Sequence, residues 1–311
     1  MTAATEATHV LLAGGHKARQ RKDRTMTVLI WGAFVLAAVP LVSLLWVVIS
    51  KGLHRLNGSF LSHSMRNVFG GMDAGGAYHA IAGTLLITLG ASVIAVPLGL
   101  LVAIYLVEYG RGPLARAVTF FVDVMTGIPS IVAGLFAFAV FAIFFGPGIA
   151  LGVMGSVALA LLMTPVVVRS CEEMLKLVPN ELREASYALG VPKWLTIVKV
   201  VLRTSVAGLT TGILLAVARV VGETAPLLIA AGTTASINFN LFSGRMMTLP
   251  VFIYDQYKQG PVPCRAGAAG VCIPTINYER AWAAALTLVL IVVVLNLLGR
   301  LVTRLFAPKL R

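Results

Sequence analysis

The sequence predicts an all-α fold, a polytopic membrane protein with six transmembrane helices. Three observations carry that expectation. Of the 311 residues, 58% are apolar and only 12% are charged, where soluble domains run near ~25% charged. The mean hydropathy is +0.91. The charges sit in short segments between long apolar runs, which is how membrane topology is written. Together these exclude an ordinary cytosolic enzyme and a disordered chain. The net charge of +13 raises nucleic acid as a partner, but clustering between spans points to the membrane instead, so no nucleic acid is expected.

The spans follow in order. Residues 25–50 carry no charge and lie between Arg24 and Lys51, giving a first span over 27–50 that can cross a ~30 Å core. No small-residue cleavage site follows Ser50, which argues against a signal peptide. Ahead of it, residues 1–26 read as a mobile basic tail. Residues 80–107 form the second span, with Pro97 as a kink. Residues 117–168 hold one charge, Asp123, and Gly146-Pro147-Gly148 divides them into spans over 117–145 and 149–168. Asp123 is expected to snorkel inward or pair with Arg116. The fifth span, 205–231, contains Arg219 and Glu223, and the sixth covers 281–302, leaving a short tail over 303–311. The six-span permease region is thus 27–302.

Charge sets the direction. With the N-terminus inside, 17 Lys and Arg fall on inner segments and 7 on outer ones, so both termini are expected in the cytoplasm. Cys264 and Cys272 then face the oxidising side, where a disulfide between them stands beside the alternative of two free thiols. With three cysteines and no CxxC, no metal site is expected. In the outer segment 232–279, residues 249–254 are amphiphilic and read as a short interfacial helix.

The inner segment 169–204 is helix material. Pro179-Asn180 can start a helix, and residues 181–189 are rich in helix formers. Leu182, Ala185, Ser186 and Leu189 share one face. Gly190 can end the helix in the left-handed region, and Pro192 suits the first turn of the next. The expected product is a rigid elbow of two helices, the alternative being an ordinary amphipathic connector.

Arg219 and Glu223, four residues apart, should be neighbours on one helix face. Each costs about 2.5–3.5 kcal/mol at mid-bilayer. Two accounts remain. They satisfy each other as an ion pair, or Arg219 meets an oxyanion with its planar fork while Glu223 holds it in position. Pro226 and Gly222 would weaken the helix there, so that freed backbone groups and Thr224 line the same polar point, the alternative being a simple packing kink. Arg169, at the inner end of span four, reads as an inside anchor.

Glu184-Ala185-Ser186, three residues and Gly190 resemble the EAA loop of ABC importer permeases. Ser186 stands for the motif's second Ala, and Arg203 stands where the motif has Pro. The stretches Gly127–Phe136 and Arg219–Leu228 resemble spans three and five of the PstA-type permeases of phosphate ABC transporters. The resemblance covers most of residues 80–302. It implies a type I ABC importer permease fold, half of a phosphate pathway, and a second anion contact at Arg169. It implies docking of the Glu184–Gly190 helix on an ATPase. Two ATPase subunits, a homologous second permease and an extracytoplasmic phosphate-binding protein would complete the assembly in the lipid of a bacterial plasma membrane. No Gly-Lys dipeptide occurs, so no Walker A loop can form and this chain holds no cofactor of its own. ATP and magnesium would sit on the partner ATPase. Three alternatives stay open: a permease for sulfate, molybdate or phosphonate, a proton-coupled secondary anion transporter or channel, and an intramembrane enzyme.

Overall fold

The computed structural model describes residues 3–264 and 272–306, with side chains over 19–264 and 272–304. The C-terminal tail lies outside the described residues from 307 onward. The chain divides into two units, Met1–Ser50 and Lys51–Arg311.

The first unit is one helix, α1 (Ala3–Gly52). The basic tail is helical from Ala3 onward. It is continuous with the span, because residues 3–24 are mostly helix formers with no Pro. Trp31 and Leu36 are 63% and 76% exposed, as residues facing lipid tails would be.

The second unit begins with the short α2 (Gly58–Ser62), capped by Asn57, whose Oδ1 accepts from the Phe60 N–H at 2.7 Å. Next come α3 (Tyr78–Ile104), extended by a π-helical turn (Tyr105–Tyr109), then α4 (Gly112–Thr126), α5 (Ser130–Phe145) and α6 (Gly152–Lys176). The elbow consists of α7 (Asn180–Ala188) and α8 (Lys193–Thr196), with a second π-helical turn (Ile197–Val201) leading into α9 (Leu202–Val221). The last helices are α10 (Ala225–Ala230), α11 (Leu249–Gln259) and α12 (Ile276–Phe306). Among the described residues there is no strand, only an isolated bridge between Met72 and Cys272. Five helical stretches are long and apolar enough to cross a membrane, or six if the bent pair α4 and α5 is one crossing.

Helix α6 is the centre. Of its most apolar stretch 61% is buried, against 28% for α3 and for α12. Small residues let neighbours approach it closely. A Cβ on Gly99 of α3 would lie 2.7 Å from Val167 Cγ1, and one on Gly212 of α9 would lie 2.7 Å from Ser170 Cβ.

Four expectations are corrected. Span three is two helices bent by 107°, because Pro129 lacks an N–H and pushes Ile128 out of the helical region. Span four runs on to Lys176, eight residues into the segment taken as loop. Span five ends at Val221 instead of 231. The amphiphilic stretch in α11 is no interfacial helix, since Leu249, Val251 and Phe252 are all 0% exposed in the core.

Candidate functional site

The break between α9 and α10 is written locally. Gly222 caps α9, its N–H reaching the Val220 carbonyl, and Pro226 stands in the first turn of α10. Pro has no N–H to continue the ladder, so the helix stops and restarts. The interruption removes the four-residue adjacency of Arg219 and Glu223. No ion pair joins them among the described residues. Arg219 is exposed, and Glu223 and Thr224 are half-buried. The mutual ion pair expected from the spacing is therefore not made in this structure.

The stretches around Gly134 and Pro226, 92 positions apart by number, meet in space. A Cβ on Gly134 would stand 2.6 Å from Pro226 Cα and 2.9 Å from its carbonyl oxygen. Helix α5 therefore rests directly on the first turn of α10, sealed by Ala137 and Ala230, each 0% exposed.

Arg169 is already engaged. It meets Asp123 of α4, and its Nη1 donates to Glu172 at 2.8 Å, while Lys176 pairs with Glu172 at 2.7 Å. The partner of Asp123 is thus Arg169 and not Arg116. The pair ties α4 to α6.

The elbow forms as expected in outline. Helix α7 starts at Asn180, and Gly190 is left-handed at φ +74°. Pro192 caps α8 rather than entering it. The expected common face divides. Leu182 and Leu189 are 41% and 83% exposed, but Ser186 turns inward and its hydroxyl lies 2.8 Å from Thr196 Oγ1. An Ala there could not make that bond. Glu184 and Ala185 stay exposed. Arg203, in the place of the motif's Pro, sits in a helix that runs unbroken to Val221.

At the opposite end, Cys264 and Cys272 form a disulfide with Cα atoms 5.9 Å apart. A cavity of about 320 Å³ nearby is lined by His79, Thr233, Thr234, Asp255, Gln256 and Gln259. Burial pushes the Asp255 carboxyl above its usual range, while the Gln259 amide, donating at 2.8 Å, opposes that shift. The buried Arg280 pins the loop between α2 and α3, its Nη2 donating to the Met72 and Ala74 carbonyls at 2.8 Å each.

Sequence reasoning missed this cavity and a further pair, Glu108 with Arg183 at 2.9 Å. Neither residue breaks a local rule, so no local signal marks them.

The fold is that of the membrane subunits of ABC importers. A chain of the inward-facing MetNI methionine ABC transporter superposes with TM-score 0.54 at 20% identity, covering 75% of this chain and 94% of that one. A chain of a bacterial alginate ABC transporter gives 0.52 at 15% identity, covering 88% and 95%. Residues 95–311 match the family described as binding-protein-dependent transport system inner membrane component, and this chain belongs to that family. Among its relatives is the phosphate transport system permease protein PstA 1 of Mycobacterium tuberculosis H37Rv, 48% identical over 91% of this chain and 88% of the relative. The PstA protein of Yersinia pestis is 37% identical over 94% and 92%. The chain is thus a multi-pass inner-membrane permease subunit, not itself an ATPase. Its family implies an ATPase and a substrate-binding protein as partners.

Proposed function

We propose that this chain forms half of the pathway of an ATP-driven importer of inorganic phosphate. The observation that carries this is the 48% identity over 91% of the chain to a permease named for phosphate transport. A homologous second permease supplies the other half, two ATPase subunits bind ATP and magnesium, and an extracytoplasmic phosphate-binding protein delivers the ion. Both termini lie in the cytoplasm of a bacterial cell, a placement supported by the 17 inner against 7 outer cationic residues.

Arg219 is the anion contact of this pathway. It is exposed and without an ion-pair partner among the described residues, so its fork is available to phosphate oxygens. Glu223 and Thr224 flank the same break. The Glu223 carboxylate accepts from a protonated phosphate and repels fully ionised sulfate. Arg169 contacts the anion at the inner mouth only when its link to Asp123 opens. The exposed face of α7, with Glu184, Ala185 and Leu189, docks on the ATPase. Gly190 sets the angle between α7 and α8, and the Ser186–Thr196 bond passes the push into α9.

The test is uptake by the complete complex in proteoliposomes supplied with phosphate-loaded binding protein. ATP-dependent phosphate entry is expected, and Arg219→Gln should lower it about ten- to hundredfold, the worth of a lost charged contact. Full uptake by Arg219→Gln at normal assembly removes Arg219 from the path. Entry of sulfate or molybdate in place of phosphate overturns the substrate.

A further inference from the structure

We propose that Glu108 is a second coupling arm, through which the elbow moves α3 as well as α9. This rests on the docking of α7 to an ATPase.

Glu108 lies in the π-helical turn that ends α3, with its side chain only 5% exposed. Arg183, in the middle of α7, is 12% exposed; its Nε donates to Glu108 Oε1 at 3.0 Å, and its Nη2 lies 2.9 Å from the same oxygen in the ion pair. The same guanidinium holds the end of α6. Its Nη1 donates to the Val178 carbonyl at 2.6 Å, and its Nη2 to the Leu175 carbonyl at 3.1 Å. The Leu175 carbonyl, in the last turn of α6, also accepts from the Val178 N–H at 3.3 Å, so Arg183 adds a second donor to the turn that closes the helix. Arg183 thus joins α7, α6 and α3 at one point. The start of α8 grips the same turn. Lys193 Nζ bonds the Glu108 carbonyl and lies 4.4 Å from the centre of the Tyr109 ring.

The two faces of α7 therefore do different work. Leu182 and Leu189 face outward, free to receive a partner. Arg183 faces the bundle. A displacement of α7 has two stiff outlets: Ser186 and Thr196 into α8 and α9, and Arg183 and Glu108 into α3, the helix most closely packed on α6. π-Helical segments recur at functional sites, and here one stands in each outlet, Tyr105–Tyr109 and Ile197–Val201. Glu108 is a positioning residue. It touches no substrate and acts on the pathway through α3.

A partner removed from a buried pair leaves the other charge uncompensated. The experiment measures phosphate transported per ATP hydrolysed by the whole complex in proteoliposomes, with ATPase recovery measured alongside. Glu108→Gln should lower that ratio about fivefold or more while ATPase still co-purifies in wild-type amount, and Glu108→Asp should restore at least half of it. A role in folding alone would reduce recovered complex without moving the ratio. An assembled Glu108→Gln complex with the wild-type ratio overturns the proposal. If that variant fails to assemble, Lys193→Met, a change at an exposed side chain, decides: a lowered ratio supports the arm and a wild-type ratio overturns it. Wild-type complex whose ATPase ignores loaded binding protein counts against the importer reading, not against this link.

Discussion

Gly134 shows how much rests on one missing methyl group. Its Cβ would meet backbone atoms of Pro226 at 2.6 and 2.9 Å, and backbone cannot swing aside as a side-chain tip can. Gly134→Ala should lower stability by about 1–3 kcal/mol through overpacking, read as a drop in thermal midpoint in detergent. An unchanged midpoint would mean that α5 and α10 part freely. The charged residues teach a related lesson. Arg219, Glu223 and Arg169 were legible as candidates, because an ionisable group at membrane depth is expensive and invites an explanation. Their pairings were not. The spacing of Arg219 and Glu223 suggested contact, and the Gly222 cap and Pro226 abolished it. Arg169 found Asp123, 46 positions away, on another helix.

At the scale of elements, the elbow was the most legible part. Turn chemistry is local, and the left-handed Gly190 and the start at Asn180 follow from it. Gly190 permits a clean experiment, since a Cβ there would meet nothing within 4 Å. Any effect of substitution is therefore backbone strain. Gly190→Asn, which tolerates φ near +74°, should keep ATPase recovery and uptake close to wild type. Gly190→Val should cost about 1–2 kcal/mol or more and lower both. Equal behaviour of the two variants would exclude the left-handed turn as the cause. Other elements were less legible. One apolar run became two helices at 107°, and α11 went to the core rather than the interface. Hydropathy rewards any apolar surroundings and does not distinguish lipid tails from a neighbouring helix.

For the whole molecule, the inside excess of positive charge predicts an orientation that chemistry can check. A cysteine in place of Ser236, which is exposed, should react with a membrane-impermeant maleimide in intact cells. A cysteine in place of Leu189, 83% exposed at the elbow, should react only after permeabilisation. The background is quiet, since Cys171 is buried and Cys264 is bonded to Cys272. The reverse pattern would invert the topology and move the ATPase surface to the wrong side.

The sequence by itself determined the class of solvent each segment tolerates, the break at Gly146-Pro147-Gly148, and the elbow. These are sums of local free energies, of apolar residues per span and of Gly and Pro at breaks, and they need no partner to be evaluated. Only the tertiary structure decided which charges are spent and which stay available. Glu108 meets Arg183 across 75 positions and Asp123 meets Arg169 across 46, while Arg219 meets no carboxylate among the described residues. An ion pair depends on distance and burial in space, and no spacing along the chain encodes either until the helices have packed.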